Sequence, residues 1–143
     1  MQYRTFLKNS DDGCPFCERE ALDRTVIVRA NTRAMLTVAK APYVADQLLV
    51  IPKRHVKNVA DLQLLDIVDC IRLIRWAGKR LTENGHPGYT ILLRDGDGVG
   101  KSISHLHIHV IPDVDIPIVN SSQDRRVLTA AQIQKIVRKL QGN

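Results

Sequence analysis

Three histidines alternate with apolar residues in Ser104–Ile111, and this alternation restricts the local structure more than any other feature of the chain. In a β-strand, residues i, i+2 and i+4 share one face, so His105, His107 and His109 would project from the same side while the residues between them face a core. Imidazoles on a half-buried face need hydrogen-bonding or metal partners. The alternation therefore predicts a strand, ended by Pro112, that carries either a metal site or a nucleophilic site.

The order of the predicted elements favours the α+β class with an antiparallel sheet of about five strands. Short β-branched or apolar runs lie in groups before and after one long helical pattern, rather than alternating strictly with helices. The loop Asp95–Gly100 suits a hairpin connection between antiparallel strands. The predicted strands are Thr25–Arg29, Ala34–Val38, Gln47–Ile51, Tyr89–Leu93 and Ser104–Ile111.

Two helices are predicted from apolar periodicity and terminal signals. The longer one covers about residues 62–83, and Gly85 follows as a terminator, with His86 in the surface turn beyond it. The second is a basic helix over about residues 129–141, with Thr129 as its N-cap. The apolar residues that recur at helical spacing predict the buried stripe of the longer helix: Leu64, Ile67, Val68, Ile71, Ile74 and Leu81.

Composition is that of an ordinary globular protein. The chain has 143 residues, 44% apolar and 25% charged, which suits one domain over residues 1–143 with an irregular N-terminal stretch over 1–24. No apolar run reaches the roughly 20 residues needed to cross a bilayer, and the N-terminus lacks the pattern of a signal peptide. We therefore expect a cytoplasmic protein with no membrane partner.

The formal net charge of +6 favours anionic partners such as nucleotides, polyphosphates or nucleic acid. Part of the excess lies in the C-terminal helix, where a solvated face is the simplest interpretation and a nucleic-acid arm is the alternative. Aromatic residues make up only 4% of the chain, which leaves little material for stacking on bases. Nucleic acid is therefore the less favoured partner.

A glycine-rich loop directly precedes the histidine segment. Residues Asp95–Gly100 read DGDGVG and are followed by Lys101 and Ser102. Glycines let backbone N–H groups approach an anion closely, and the ammonium and hydroxyl groups add further donors. A histidine face beside such a loop indicates phosphoryl chemistry. An acidic metal loop is the alternative, although the pattern of a calcium loop is absent.

Cys14 and Cys17 form a C-x-x-C pair, whose spacing suits a zinc site that takes its other ligands from elsewhere in the chain. A redox dithiol and two unrelated buried cysteines are the alternatives. A redox pair favours the start of a helix in a βαβ setting, which this sequence does not show. Cys70 lies within the helical pattern and is predicted to be a small core residue.

The segment Gly100–Pro112 resembles the signature of the histidine-triad (HIT) superfamily, His-φ-His-φ-His-φ-φ with φ apolar. Leu48–His55 is similar to the family's second conserved strand and the turn after it. The two blocks have the expected order, with a helix and a strand between them, and the resemblance covers roughly residues 14–112. It implies a HIT-like α+β fold and, as in the family's compact branch, a homodimer.

The resemblance also implies a function and the residues that perform it. His107 would attack the α-phosphorus of a nucleoside phosphoramidate, a dinucleoside polyphosphate or a related conjugate, and water or another acceptor would release the nucleotide from the nucleotidyl-histidine. His109 would contact the phosphate oxygens, and Ser102 would donate to phosphate or to the leaving group. The further substrate-binding residues would be Gly100, Lys101, Ile103 and Arg94.

In zinc-bearing branches of the family, the C-x-x-C pair is completed by two histidines, which match His55 and His105 in this chain. The resemblance therefore implies a closed, structural zinc site formed by Cys14, Cys17, His55 and His105. Such a site would hold the irregular N-terminus and the 52–55 turn against the histidine strand. Without a metal, His55 would be a surface residue of a basic turn.

Several positions depart from the family pattern. Lys101 replaces a glutamine and Arg94 replaces an asparagine, both of which contact the phosphate region in relatives. These cations would strengthen phosphate binding, favour a more anionic leaving group and raise the cost of protonating nearby imidazoles. Ala39 stands where relatives carry an acidic residue for the ribose, with Asp46 as a shifted substitute. Gln47 replaces the usual histidine before the third strand.

Two other functions fit parts of the pattern. The same fold could hold a nucleotide or a nucleic-acid end with little turnover, which the altered loop residues favour. A metal-dependent hydrolase with His105, His107 and His109 as ligands is the second, but it leaves the C-x-x-C pair and the glycine-rich loop unexplained.

Overall fold

The computed structural model describes residues 13–17, 26–39, 42–114 and 129–131 of the chain. Most of the predicted N-terminal stretch 1–24 and of the predicted C-terminal helix 129–141 therefore lies outside the described residues. Ala130 and Ala131 are helical, in agreement with a helix that begins after Thr129.

Five strands and one long helix form most of the regular structure in the described residues. In chain order they are β1 (Ile27–Ala30), β2 (Ala34–Val38), β3 (Leu48–Pro52), α1 (Leu64–Glu83), β4 (Tyr89–Leu93) and β5 (Ile108–Pro112). All neighbouring strands pair antiparallel in the order β1-β2-β3-β5-β4, which confirms the predicted α+β class and its five-stranded sheet. Because β5 lies between β3 and β4, His109 is placed inside the sheet, opposite Leu49 and Leu92.

The histidine strand is shorter than the alternation predicts. β5 begins at Ile108, so only His109 of the three histidines lies in the strand, and the two preceding histidines lie in irregular backbone. The N–H of Leu106 donates to the carbonyl oxygen of Val56 at 2.8 Å instead of joining the β3 ladder. This departure from the strand lets the His105 ring face the N-terminal cysteines.

Other strand bounds shift by one or two residues. β1 begins at Ile27 rather than Thr25 and ends at Ala30. Both Pro52 and Pro112 are the last residues of their strands, not the first residues beyond them. A proline has no N–H to donate, and at a strand end this missing donor interrupts no ladder.

Helix α1 packs on β2, β3 and β5, and the buried core lies between the helix and the sheet. The predicted stripe is partly wrong, because Leu64, Ile67 and Ile71 are 75%, 39% and 48% exposed. The sheet covers only one side of the wide apolar arc. The buried apolar residues of the helix are Cys70, Leu73, Ile74, Ala77 and Leu81.

The ends of α1 follow local rules of helix termination. At the start, the side chains and backbone of Gln63 and Asp66 form a capping box. At the end, Gly85 takes a φ of +89°, its N–H donates to the Thr82 carbonyl at 3.1 Å, and the next N–H donates to the Leu81 carbonyl at 3.0 Å. The predicted terminator is confirmed. No helix in the described part of the chain combines the length and apolar character needed to span a membrane.

Candidate functional site

Four sulfur and nitrogen ligands converge from three separate parts of the chain. The ligand atoms of Cys14, Cys17, His55 and His105 all lie within 4.8 Å of one another. The Sγ of Cys17 is 3.1 Å from His55 Nδ1 and 3.3 Å from His105 Nδ1, and the Sγ of Cys14 is also 3.3 Å from His105 Nδ1. Tetrahedral zinc, with bonds of about 2.0–2.3 Å, would separate neighbouring ligand atoms by about 3.3–3.8 Å. The predicted ligand set is therefore close enough to bind one metal ion.

The surroundings of this cluster orient its ligands. The backbone N–H of Cys17 donates to the Cys14 carbonyl at 3.0 Å, and this turn brings both thiols to one side. The Nε2–H of the buried His105 donates to the Pro52 carbonyl at 2.8 Å, which leaves the Nδ1 lone pair directed at the sulfurs. The cluster thus joins the N-terminal turn to the end of β3 and to the segment before β5.

His107 lies next to the four-ligand cluster, two residues after His105. Phe16 packs edge-on against the rings of both His105 and His107, at centroid distances of 5.7 and 5.4 Å. The His107 Nδ1–H donates to the carbonyl oxygen of His105 at 2.9 Å, so the lone pair of the neutral ring is on Nε2. Burial lowers the pKa of His107, and the charges of Lys101 and Arg94 lower it further. The ring therefore favours its uncharged form at neutral pH, with the Nε2 lone pair unprotonated.

His109 lies beside His107, with 5.0 Å between the ring centroids. Its Nδ1 is 3.1 Å from the side-chain nitrogen of Gln47. Burial lowers the pKa of His109 to about 4, and His107 and Arg94 contribute in the same direction. The expectation that nearby cations oppose protonation of these imidazoles is confirmed.

The two cations that depart from the family pattern each bridge neighbouring segments. The Lys101 ammonium donates to the Lys57 carbonyl at 2.6 Å, and so links the glycine-rich loop to the segment after His55. Arg94 donates to the hydroxyl of Tyr43 and to the carbonyl of Gly100, both at 3.3 Å. Both side chains therefore bring positive charge to the edge of the histidine site.

A cavity of about 470 Å³ opens between the glycine-rich loop and the segment after His55. Its wall carries two ammonium groups and two hydroxyls, with one carboxylate, that of Asp97. Gly96, Gly98 and Gly100 have φ values of +81°, +75° and +75°, which glycine adopts without strain. The lining residues are Lys57, Asn58, Gly96, Asp97, Gly98, Gly100, Lys101, Ser102 and Ser104. Ile103 is half-buried and does not line the cavity.

Some of the residues considered in the sequence have a different environment from the one expected, and some residues near the site were not predicted. Ala39 is buried, and the carboxylate of Asp46 bonds to His86 Nε2 at 2.8 Å. His86 is therefore a partnered residue, not a plain surface one. In the sequence, Gln47 stands out only as a departure from the family pattern, and no sequence signal singles out Lys57. A buried polar residue directly before an apolar strand is the signal that would have identified Gln47.

Comparison with known proteins agrees with this geometry. The profile of the HIT domain matches residues 20–115. An adenosine 5′-monophosphoramidase of Candida albicans is 30% identical over 115 residues, which cover 74% of this chain and 74% of that protein. A bis(5′-adenosyl)-triphosphatase of Dictyostelium discoideum is 32% identical over 84 residues, which cover 57% of this chain and 56% of that protein.

Solved structures show the same fold. A histidine triad nucleotide-binding protein from Candida albicans superimposes with a TM-score of 0.75 at 20% identity, covering 91% of this chain and 96% of that one. A HIT family member from Bacillus subtilis also has a TM-score of 0.75, at 18% identity and with coverage of 92% and 96%. The profile match over most of the sheet, the helix and the histidine segment identifies this chain as a member of the HIT family.

Proposed function

We propose that the protein transfers nucleotidyl groups from nucleotide conjugates, to water or to another acceptor, through a covalent intermediate on His107. The observation that carries the proposal is the hydrogen bond from His107 Nδ1–H to the His105 carbonyl, which leaves the Nε2 lone pair for attack. The relatives named for monophosphoramidase and triphosphatase activities support the same class of substrate. No metal ion is needed in the covalent step.

In the first step, His107 Nε2 forms a bond to the α-phosphorus while the bond from phosphorus to the leaving group breaks. The leaving group takes the electron pair, and where an amine leaves, solvent supplies its proton, directly or by way of the Ser102 hydroxyl, which gives up one proton and takes another from solvent. In the second step, water adds to phosphorus, the P–Nε2 bond breaks and its electron pair returns to the ring. One proton is lost to solvent, and a nucleoside monophosphate is released.

The groups around His107 would stabilise the charge that develops on the phosphate. We assign a proton-donating contact to His109 and backbone N–H donors to the loop around Gly100, Lys101 and Ile103. The charge of Arg94 lowers the pKa of both His107 and His109, and the same charge would attract the phosphate. These donors act in a partly dehydrated site, where each hydrogen bond to charge is strengthened.

The cavity beside the loop supports a preference for anionic leaving groups. Lys57 and Lys101 give it two ammonium groups against the single carboxylate of Asp97. A leaving group that carries phosphates gains from this charge, whereas a neutral amine does not. We therefore propose that dinucleoside polyphosphates are better substrates than adenosine phosphoramidate.

The test is release of nucleoside monophosphate from diadenosine tetraphosphate and from adenosine phosphoramidate. We expect His107→Ala to lower kcat by more than about a thousandfold, because the nucleophile is removed. Unchanged turnover in this variant would refute the covalent mechanism.

We expect Lys57→Gln to lower kcat/KM for the tetraphosphate by about tenfold and for the phosphoramidate hardly at all, whereas equal losses would refute the leaving-group preference.

Lys79→Gln is the matched control for the charge change, since Lys79 is exposed on α1 and does not line the cavity. It should leave both substrates unaffected.

We also propose that the four-ligand cluster holds a structural zinc ion. Two thiolates and two imidazoles suit zinc, and four protein ligands close the coordination shell against substrate. In this role the ion would hold the N-terminal turn and the segment before His107 in place, without contacting the nucleotide.

From the family resemblance, we propose that the protein forms a homodimer and that it is cytoplasmic. The uncovered apolar stripe of Leu64, Ile67 and Ile71 on α1 supports contact with a second copy. The edge strand β4 also exposes Ile91, at 50%.

A binding module with little turnover is the second candidate function. The observation that favours it is the pair of cations in place of neutral amides, which would hold a phosphate product tightly. Nucleotide binding without release of product from any conjugate would support it. A hydrolase that uses all three histidines as metal ligands is not supported, because His105 Nδ1 faces the sulfurs while the Nδ1 atoms of the other two bond elsewhere.

A further inference from the structure

Gln47 is a buried amide that lies between the substrate-facing histidine and the loop before β3. Its side chain is almost fully shielded, with the residue 2% exposed. The backbone N–H of Tyr43 lies 2.7 Å from its Oε1, and the Nδ1 of His109 lies 3.1 Å from its Nε2. Both polar atoms of the Gln47 side chain, Oε1 and Nε2, therefore have a hydrogen-bonding partner.

The chemistry of these partners decides which way the amide points. A backbone N–H can only donate, so the end of Gln47 that faces Tyr43 must be the carbonyl oxygen. The NH₂ end then faces His109 Nδ1 and must donate to it. An Nδ1 atom that accepts a hydrogen bond carries a lone pair, so the single proton of the neutral ring is on Nε2.

We propose that Gln47 is a positioning residue that locks His109 in the Nε2–H tautomer, so that the ring presents a proton to a bound phosphate oxygen. Burial and the neighbouring positive groups keep the ring from taking a second proton. Tyr43, whose ring is 6.2 Å from that of His109, adds a steric limit to rotation of the imidazole. The assignment of the Nε2–H tautomer rests on the hydrogen-bond geometry. Only the role of His109 toward phosphate rests on the proposed function.

The identity of this residue matters because a histidine at the same position could either donate or accept. A glutamine amide does not titrate, and its orientation is set by a backbone group. The donor state of His109 would therefore be independent of pH over the neutral range. A hydrogen bond from an amide, which does not titrate, thus takes the place of a titratable contact beside His107.

The lock is tested first by NMR of imidazole ¹⁵N nuclei in the full-length, metal-loaded protein. We expect His109 to show a protonated Nε2 and an unprotonated Nδ1. In Gln47→Glu the carboxylate would accept from Nδ1–H, so the Nδ1 signal should move to the protonated position. In Gln47→Met the ring should show a mixture of tautomers. A protonated Nδ1 in the native protein, or no change in Gln47→Glu, would overturn the proposal.

The role toward phosphate is tested by kinetics on the same variants. Gln47→Met should lower kcat by about tenfold to a hundredfold with little change in KM, because a donor to the transition state is lost from part of the population. Asn84→Leu, which removes an exposed amide at the other end of α1, should not alter kcat. Native kcat in folded Gln47→Met would overturn the positioning role.

The two proposals fail in different ways. If the native protein releases no nucleotide but shows the expected tautomer and its change in Gln47→Glu, the proposed function fails and the lock is supported. If turnover requires His107 and the tautomer is the other one, the function stands and the lock is overturned.

Discussion

At the scale of single residues, His86 shows how one side chain can join three loops. Its Nδ1 bonds to Asp113 at 2.5 Å and its Nε2 bonds to Asp46 at 2.8 Å. Both aspartates have positive φ, +58° and +62°. Hydrogen bonds to Asp113 and then Asp46 raise the pKa of His86 above its ordinary value. The imidazole therefore links the turn after α1 to the loops before β3 and after β5.

This arrangement predicts a pH-dependent contribution to stability. A histidine whose pKa is raised by folding stabilises the protein fully below its unfolded pKa of about 6.5, and this stabilisation is lost as the pH rises through the folded pKa. His86→Gln should therefore lower the free energy of unfolding at pH 6 and should have a smaller effect at pH 9. Urea unfolding at both pH values measures the difference. An equal effect at the two pH values would contradict the charged bridge.

At the scale of elements, a buried carboxylate connects the start of α1 to the strands beneath it. Asp66 accepts from Arg54 at 2.8 Å and from Arg33 at 3.4 Å, and it also accepts from the Gln63 N–H in the capping box. Burial alone would raise the pKa of Asp66, but these hydrogen bonds outweigh it and hold the pKa below its usual range. Arg54 directly precedes His55 of the four-ligand cluster, so the helix start also supports the candidate site.

We predict that Asp66→Asn lowers the free energy of unfolding at pH 7 by about 1–3 kcal/mol, because charged hydrogen bonds in a buried position are lost. The effect should be present above the unfolded pKa of about 3.9 and should fade as the pH drops through the lower folded pKa. Chemical denaturation at pH 7 and pH 3 checks both parts. Asp61→Asn is the control, since Arg54 bonds only to its backbone carbonyl, and it should stay within about 0.5 kcal/mol.

At the scale of the whole molecule, the four-ligand cluster brings distant parts of the chain together. Its ligands come from the N-terminal turn, from the segment after β3 and from the segment before β5. Cys14 and His105 are 91 residues apart in the chain, and Cys17 and His55 are 38 apart. A metal ion there would close these long loops only in the folded state, so binding and stability are coupled.

We predict that the purified protein contains about one zinc ion per chain and that Cys17→Ser loses it. The variant should also unfold at a lower denaturant concentration than the native protein. Metal analysis and chemical denaturation measure the two effects. Cys70→Ala, which removes a buried thiol outside the cluster, should keep its zinc. Native protein that purifies without metal, or Cys17→Ser that retains it, would exclude the site.

The sequence by itself determined the features that depend on neighbours along the chain. The residue patterns of five short strands, a terminating Gly85 and the alternation of three histidines each follow from local periodicity or backbone preference, and the structure confirms the sheet and the helix end. The family motif also indicated which four residues could form the metal cluster, because motif spacing records the positions that folding brings together.

Only the tertiary structure decided which contacts these residues make. His105 leaves the predicted strand because the Val56 carbonyl takes the Leu106 N–H. The exposed arc of α1 could not be separated from its buried arc, because apolar periodicity does not say how much of a helix a sheet covers. Gln47 reaches His109 across 62 residues of chain, and the direction of its amide is set by the backbone N–H of Tyr43. Hydrogen-bond direction depends on three-dimensional placement of donors and acceptors, which local sequence patterns do not encode.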